Sequence, residues 1–218
     1  MQYSFSSISR YSDASGKPSN FELLDTNLFG QIERRFLVGL VVHYVLEVEL
    51  KEFLSAEVNK IKIGNQQLFD RAEQVLAECL QSDDQHYREV KNKVNKYLRM
   101  GKQMLLCNCR GYTIHSVEDY FSMSIDSEIE IVAKPDIVLT CEGQKMRIVD
   151  WKTQSIARSR TDDEQMSIYK MVLEHNFPDY EIESYTAYLS MGRWSQNWHT
   201  EGYRNELIQD IISHHNKS

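Results

Sequence analysis

The sequence has little of what marks membrane proteins, secreted proteins or strongly basic proteins. Its longest apolar run, residues 36–42, is far shorter than the roughly 18 residues that a membrane helix needs. The N-terminal residues are polar and lack the apolar centre of a secretory signal peptide. The formal net charge is −7, whereas proteins that bind phosphates on their own favour basic surfaces. We therefore expect a cytoplasmic protein with no membrane anchor, and the acidity favours a partner protein.

Cysteine is scarce, and the sequence contains neither a metal knuckle nor a motor motif. The four cysteines, Cys79, Cys107, Cys109 and Cys141, are expected to be reduced thiols in a cytoplasmic protein. The pair Cys107-x-Cys109 is too tightly spaced for the usual metal knuckle. There is no internal repeat and no helicase or ATPase motif. Any motor that serves this protein must therefore be another polypeptide.

The composition favours one large soluble domain. Hydrophobic residues make up 41% of the 218 residues and charged residues 26%. Residues 1–20, rich in Ser, Tyr and Gly, are expected to form a flexible arm, and residues 21–218 a single domain. Apolar positions recurring at three and four predict a long buried helix over 28–54 and further helices over 66–81 and 83–107. The last two would form a helical insertion at about 58–112.

The second half of the chain alternates between strand and helix patterns. Period-two alternation predicts a strand over 112–125 and then a hairpin that turns at Glu142 and Gly143. A capping box at 161–164 starts a helix that ends near His175. A strand over 182–191 and a helix over 206–213 complete the order. We therefore predict an α/β protein with a mixed central sheet flanked by helices.

Two aspartates and a lysine stand where the hairpin strands begin and end. Asp is disfavoured inside strands, and Pro135 before Asp136 cannot donate to a sheet ladder and marks a strand break. Alternation places Asp150 and Lys152 on one face of their strand. The aspartates can also be interpreted as turn residues, and Lys152 as a solvated lysine. Together, however, two carboxylates beside an ammonium favour a site for Mg²⁺ or Mn²⁺.

A histidine on the first helix is a further candidate ligand. His43 lies on the apolar side of the helix, where a lone histidine is commonly a core residue bonded to a backbone carbonyl. Gly39, one turn before it, leaves space on the same face. Glu47, one turn after it, is expected to accept the second ring N–H, as a group behind a metal-bound imidazole does. We therefore predict that His43 binds a metal ion.

These residues, with two more on the following helix, resemble the motifs of a known family. Pro-Asp, thirteen intervening residues and then Asp-Trp-Lys resemble the motif of PD-(D/E)XK nucleases, and the histidine and a Gln-x-x-x-Tyr resemble the additional motifs of their RecB-type branch. The residues that carry the resemblance are His43, Pro135, Asp136, Asp150, Trp151, Lys152, Gln165 and Tyr169. The resemblance covers roughly residues 30–190 and implies a restriction-endonuclease-like core.

The resemblance also implies roles for these residues. One or two Mg²⁺ or Mn²⁺ ions would be held by a set of four ligands. The implied ligands are His43, Asp136, Asp150 and the backbone carbonyl of Trp151, whose indole we expect in the core. Lys152 would orient the attacking water and offset phosphate charge. Gln165 and Tyr169 would brace the site, although by themselves they are also typical of a polar residue beside a core tyrosine.

The resemblance also raises the question of an iron-sulfur cluster. Some RecB-type relatives hold an iron-sulfur cluster through one upstream cysteine and three near the C-terminus. Nothing after Cys141 supplies those three, so we expect no cluster.

Basic residues suggest where a nucleic acid would lie. A band recurs every three residues on the third helix, and two arginines follow the strand that carries the lysine. The candidates are Lys93, Lys96, Arg99, Lys102, Arg158 and Arg160. Such a band is also typical of a solvated helix face. Trp194 and Trp198 are candidates for base stacking, core packing or partner contact.

The sequence thus predicts a metal-dependent deoxyribonuclease that works with a partner such as a helicase, an ATPase or another repair or defence subunit. Two alternatives remain open, a catalytically idle subunit that keeps the fold to bind nucleic acid or a partner, and an RNA-directed nuclease. Exo- or endonuclease action, strand preference and pathway are also open.

Overall fold

The computed structural model describes residues 2–4, 34–80, 85–125, 127, 129–154, 160–197 and 201–215. Helices in these ranges are α1 (Arg34–Lys51), α2 (Asn65–Cys79), α3 (Gln85–Asn108), α4 (Arg160–Asn176) and α5 (Glu201–His215). The strands are β1 (Gln2–Ser4), β2 (Thr113–Val117), β3 (Phe121–Ser124), β4 (Glu130–Ala133), β5 (Ile137–Cys141), β6 (Lys145–Lys152), β7 (Glu181–Tyr188) and β8 (Arg193–Asn197).

A five-stranded mixed sheet forms the centre of the molecule. Its strand order is β2-β5-β6-β7-β8, with β6 and β7 parallel and the other neighbours antiparallel. A second sheet of three strands has the order β1-β4-β3. Helices α1 to α3 pack on one side of the central sheet and α4 on the other. The expected mixed α/β fold with flanking helices is therefore confirmed.

Alternation along β6 divides the core into two parts. Val149 and Trp151 are buried in the cluster formed with α1, α2 and α3. Met146 and Ile148 are buried in the cluster formed with α4. Because successive side chains point to opposite faces, Asp150 and Lys152 share the α4 side.

The β5–β6 hairpin brings the sequence motifs to one edge. Its turn spans Glu142 to Gln144, and Gly143 has a φ of 80°, which glycine adopts without strain. The register pairs Ile137 with Val149. Asp136, the residue before β5, therefore lies beside the last residues of β6.

Two features of the fold differ from the sequence predictions. The run over 112–125 is not one strand, since β2 and β3 belong to different sheets and the chain bends at Glu118, whose φ is 55°. The consecutive charges of Glu118 and Asp119 interrupt the strand pattern there. The strand β8 was not predicted.

In the expected flexible arm, Gln2–Ser4 pair in parallel with β4, and residues 5–20 lie outside the described residues.

The helices match their predictions closely. The described part of α1 is largely buried, and its fully buried Glu49 accepts hydrogen bonds from Gln67 and Arg71 of α2. Helix α4 begins at Arg160, so Thr161 lies inside the helix and is not the N-cap that the predicted capping box required, and α5 is longer than expected. Within the described ranges, no helix combines the length and the apolar character needed to cross a membrane.

Candidate active site

The candidate site lies where β6 ends, between helices α1 and α4. Two sets of side chains meet at this edge of the sheet. The histidine group consists of His43 on α1, Glu118 after β2 and Asp136 before β5. The lysine chain consists of Asp150 and Lys152 on β6 and Gln165 and Tyr169 on α4.

Asp136 links the helix to the sheet. Its Oδ1 accepts a hydrogen bond from His43 Nδ1 at 3.0 Å. Its Oδ2 accepts the backbone N–H of Trp151. The backbone pairing between β5 and β6 ends at Ile137 and Val149, so the Asp136 carboxylate continues the ladder by one further bond. The position of this carboxylate is therefore fixed by the sheet itself.

Glu118 is the site residue that the sequence analysis missed. Its Oε1 lies 4.0 Å from His43 Nδ1, and its backbone N–H donates to the Asp136 carbonyl oxygen at 3.1 Å. Its Oε2 pairs with Lys134 Nζ at 2.8 Å. Ligand atoms of the three residues of the histidine group all lie within 4.8 Å of one another. The only signal in the sequence was the pair of acids that interrupts the strand pattern at 118–119.

The electrostatics of the histidine group reflect crowded carboxylates. Burial alone would lower the pKa of His43, but Asp136, Asp150 and Glu118 outweigh it and raise the pKa to about 9. Burial would raise the pKa of Asp136, but the charge and hydrogen bond of His43 hold it below its usual value. Burial and the neighbouring Asp136 raise the pKa of Glu118 to about 8. Protons on His43 and Glu118 thus offset part of the repulsion between the crowded carboxylates.

The lysine chain is a continuous series of polar contacts. Lys152 Nζ lies 2.7 Å from Asp150 Oδ2 and donates to Gln165 Oε1 at 2.6 Å. Gln165 Nε2 then donates to the Tyr169 hydroxyl at 2.8 Å. The helical spacing of four residues puts Gln165 and Tyr169 on one face of α4, toward β6. The Gln-x-x-x-Tyr pair therefore lies directly against the lysine.

Burial sets the protonation of this chain. Burial raises the pKa of Asp150 to about 6, although Lys152 opposes the effect. Burial would lower the pKa of Lys152, but the charge of Asp150 outweighs it and the pKa is raised. Burial, with Asp150 nearby, raises the pKa of Tyr169 well above its usual value. At neutral pH the lysine is therefore charged and the phenol keeps its proton.

A polar network anchors the start of α4. Buried Asp162 accepts hydrogen bonds from Gln154 Nε2 at 2.9 Å and from the Tyr188 hydroxyl at 3.0 Å. One residue later, Asp163 accepts a bond from Asn197 at 3.1 Å. These contacts join α4 to the ends of β6, β7 and β8, and so fix the helix that carries Gln165.

One predicted contact differs in the structure. Glu47 accepts a hydrogen bond from Lys51 at 2.7 Å, and within the described residues no bond joins it to His43. Glu118 takes the place beside the imidazole that was expected for Glu47. Trp194 packs against the core, which was one of its predicted roles, with its ring centre 5.4 Å from that of Tyr185, and Trp198 lies outside the described residues.

The basic candidates are divided by their contacts. Arg99 stacks 5.5 Å from the ring centre of Phe69, and Lys102 Nζ donates to the Ile63 carbonyl oxygen at 3.0 Å. Lys93 and Lys96 are exposed on α3. Arg158 lies outside the described residues, and Arg160 begins α4 with a side chain that is not described.

The residues present fit a hard divalent cation. Three carboxylates and an imidazole lie at this edge, and oxygen-rich sets of this kind suit hard divalent cations. In addition, Asp150 Oδ2 is buried and makes no hydrogen bond of good geometry within the described part of the chain, although Lys152 is close. Asp150 lies outside the closest group of three but near enough to affect the pKa of His43.

Comparison with known proteins identifies the family. The model of the PD-(D/E)XK nuclease superfamily matches residues 7–210, so the chain belongs to this superfamily. Membership of this superfamily supports the assignment of the chain as a metal-dependent phosphodiester hydrolase. Among solved structures, the chain is similar to the crystal structure of SSO0001, with 14% sequence identity, a TM-score of 0.37, and 80% of this chain and 86% of that chain covered. No curated protein matches the sequence.

Proposed function

We propose that this chain is a deoxyribonuclease of the RecB-type branch that hydrolyses phosphodiester bonds with Mg²⁺ or Mn²⁺. The observation that carries the proposal is the meeting of the histidine group and the lysine chain at one end of β6. A cluster of carboxylates with its own charged lysine matches the needs of phosphodiester hydrolysis, which requires both cation binding and charge stabilisation.

The histidine group and Asp150 would hold the ion. His43, Asp136 and Asp150 are the ligands that we propose, with Glu118 as a further carboxylate and the Trp151 carbonyl as a neutral donor. A bound divalent ion supplies a Lewis acid that polarises the phosphodiester and lowers the pKa of a coordinated water. Asp136 holds its orientation through the Trp151 N–H, and Glu118 through Lys134. These supporting contacts restrict the orientation of the two carboxylates.

Lys152 would serve the transition state. Its side chain is 20% exposed, and its charged ammonium is held between Asp150 and Gln165. From this position it orients the attacking water and offsets the negative charge that develops on the phosphate. Gln165 fixes the lysine through its carbonyl oxygen and is itself fixed by Tyr169. The role proposed for this pair is therefore to restrict where the ammonium points.

Cleavage of matched nucleic acids tests the activity. Purified chain would be incubated with circular DNA, linear DNA and RNA of the same sequence, with Mg²⁺, Mn²⁺ or EDTA. We expect cleavage of DNA that needs a divalent ion and is lost in Asp136→Asn. Cleavage of RNA alone would redirect the assignment to a ribonuclease. Metal binding without cleavage of any substrate would indicate a catalytically idle subunit, and resistance of circles alone would identify an exonuclease.

The geometry of α3 supports a path for the nucleic acid. Arg147, in the first half of β6, donates to the carbonyl oxygen of Asn108 at the end of α3, at 2.7 Å. Gly101 lies against Leu189, whose backbone N–H donates to the Lys152 carbonyl oxygen at 2.8 Å. Helix α3 therefore runs opposite to β6, and its residues before Gly101 extend past the end of the strand that carries Lys152.

Lys93 and Lys96 lie on this extending half of α3, and we propose that they contact the DNA backbone. Two lysines on a chain of net charge −7 give weak, salt-dependent binding, so a partner protein would deliver the substrate. In a fluorescence-anisotropy titration, Lys96→Ala should reduce the slope of log affinity against log salt by about 1, the value for one lost phosphate contact. Tight, salt-insensitive binding by the chain alone would contradict both proposals.

A further inference from the structure

The candidate metal site is built from two layers that must keep a fixed separation. His43 is carried by α1, whereas Asp136 and Asp150 belong to the sheet. The Nδ1–Oδ1 distance of 3.0 Å between His43 and Asp136 therefore depends on how closely α1 approaches the end of β6. Functional groups of this kind need placement within roughly 0.5 Å. Whatever sets the approach of α1 to the sheet also sets the geometry of the site.

One constraint on that approach is the close packing of Thr153 against Gly39. Gly39 lies one helical turn before His43, and Thr153 follows Lys152 directly. A Cβ added to Gly39 would lie 2.9 Å from Thr153 Oγ1, a distance that real Cβ atoms essentially never show. At no other glycine in the described part of the chain would an added Cβ come this close to a neighbouring atom. Helix α1 thus touches the end of β6 at the one residue in this turn that has no side chain.

The backbone of α1 does not itself require glycine at this position. Gly39 is in the middle of a regular helix, and its φ is not among the positive values that favour glycine. Glycine in a helix interior is less favourable than alanine because it loses more conformational freedom on folding. A glycine placed here therefore needs another explanation, and the contact with Thr153 supplies one.

We propose, on the basis of the metal centre proposed above, that Gly39 and Thr153 form a spacer that sets the depth at which His43 enters the site. Residues four apart lie on the same helix face, so a displacement of Gly39 from the sheet moves His43 with it. Thr153 is β-branched and stiff at χ1, so it has little freedom to rotate out of the contact. Both are positioning residues, since neither is a proposed ligand.

Substitutions at both positions separate this role from simple packing. Gly39→Ala adds the Cβ that meets Thr153 Oγ1. Thr153→Ala removes that oxygen, so the double variant has room for the new methyl group. Thr153→Val keeps the branched shape of threonine, so Gly39→Ala with Thr153→Val retains the clash. Thr153→Ala alone shows what the hydroxyl contributes by itself.

The measurement is a calorimetric titration of the purified full chain with Mn²⁺. Gly39→Ala should weaken Mn²⁺ binding by roughly 10- to 100-fold, the range seen when a group that positions a metal ligand is lost. Adding Thr153→Ala should restore the affinity to within about twofold of Thr153→Ala alone, since the two changes then no longer interfere. Adding Thr153→Val should not restore it. The rescued double variant should also melt above Thr153→Ala alone, because alanine favours the helix.

Gly101→Ala serves as the matched control for overpacking. A Cβ there would lie 3.1 Å from Leu46 Cδ1 of α1, and its three nearest atoms belong to Leu46 and Leu189 rather than to Thr153. It should lower the melting temperature and leave Mn²⁺ affinity within about twofold of the parent.

Three outcomes would be decisive. Absence of Mn²⁺ binding by the parent chain would overturn the proposed function and the spacer with it. Normal Mn²⁺ binding by Gly39→Ala would overturn the spacer alone. A folded Gly39→Ala, Thr153→Ala double variant that still binds Mn²⁺ weakly would do the same. Should Gly39→Ala fail to fold, the Gly39→Ala, Thr153→Val variant should fail as well, and the Mn²⁺ affinity of the Gly39→Ala, Thr153→Ala variant then decides the matter alone.

Discussion

The histidine group and the lysine chain solve the problem of buried charge in opposite ways. In the histidine group, Glu118 and Asp136 crowd the same space, and protonation relieves their repulsion, with the pKa of Glu118 raised to about 8. In the lysine chain, Asp150 has a permanent cation of its own at 2.7 Å. The histidine group thus balances its carboxylates with exchangeable protons as well as with Lys134, whereas the lysine chain balances Asp150 with a lysine alone.

This difference indicates what each half can exchange. His43 and Glu118 carry protons that partly neutralise the histidine group. A divalent ion bound there would bring more positive charge than these protons do, so its binding should release them. Lys152 keeps its proton because its pKa is raised. The histidine group should therefore govern metal binding, and the lysine chain should govern the chemical step.

The largest effect is expected from Asp136→Asn. Asparagine keeps the shape of the side chain and an oxygen that accepts the Trp151 N–H, but it removes the charge at the centre of the histidine group. We expect Mn²⁺ binding below detection by calorimetry and cleavage at the level of the buffer. Circular dichroism should show an unchanged fold. Mn²⁺ binding equal to that of the parent would mean that the ion lies elsewhere.

Lys152→Ala should separate binding from chemistry. Cleavage should fall by about 10²- to 10³-fold, or about 2.7–4 kcal/mol, as expected when one preorganised contact to a transition state is lost. Mn²⁺ affinity should not decrease, because the lost charge repelled the cation. Single-turnover cleavage and calorimetry would measure the two effects. Lys145→Ala, on the same strand but paired with exposed Glu181, is the control and should cleave normally.

The affinity for Mn²⁺ should rise with pH. His43, with a pKa raised to about 9, carries a proton at pH 6–8 that the ion must displace. Each displaced proton gives about a tenfold gain in affinity per pH unit, so the proton of His43 alone contributes about 100-fold between pH 6 and pH 8, and the proton of Glu118 adds to this gain. Calorimetry in buffers of different ionisation enthalpy would count the protons released at pH 7. Constant affinity across this range would contradict His43 as a ligand.

A smaller effect should distinguish two glutamates on either side of His43. Glu118→Gln removes a carboxylate that lies 4.0 Å from the imidazole and should weaken Mn²⁺ binding roughly 10- to 100-fold. Glu47→Gln removes the carboxylate that pairs with Lys51 and should change the affinity less than about twofold. Paired titrations of the two isosteric variants would test this. Equal losses of Mn²⁺ affinity in the two variants would mean that Glu47 supports metal binding as much as Glu118 does.

The lysine chain could be predicted from the sequence because its order follows local rules. Alternation along β6 puts Asp150 and Lys152 on one face, and helical spacing does the same for Gln165 and Tyr169. The hairpin turn then brings Asp136 to the same edge. Each of these steps spans a few residues and needs no knowledge of distant contacts.

The histidine group could be predicted only in part because it depends on contacts between distant segments. Helical spacing places Glu47 near His43, but it places Lys51 equally near Glu47, and the ring turns toward the sheet instead. Glu118 reaches the site because the chain bends between two sheets. The apolar pattern on the two sides of Pro135 is alike, so the sequence does not reveal that β4 and β5 belong to different sheets.

The bond from Trp151 to Asp136 makes the central sheet a reporter of the site. A backbone amide in a strand ladder normally exchanges its hydrogen with solvent only when the strands separate. The Trp151 amide is held by a side-chain oxygen of a proposed ligand instead. Its exchange rate should therefore depend on how firmly the Asp136 carboxylate is held, whereas the amide of Val149, paired within the ladder, should follow the sheet. Slower exchange at Trp151 on addition of Mn²⁺ would register occupancy of the site from within the backbone, with no substrate present.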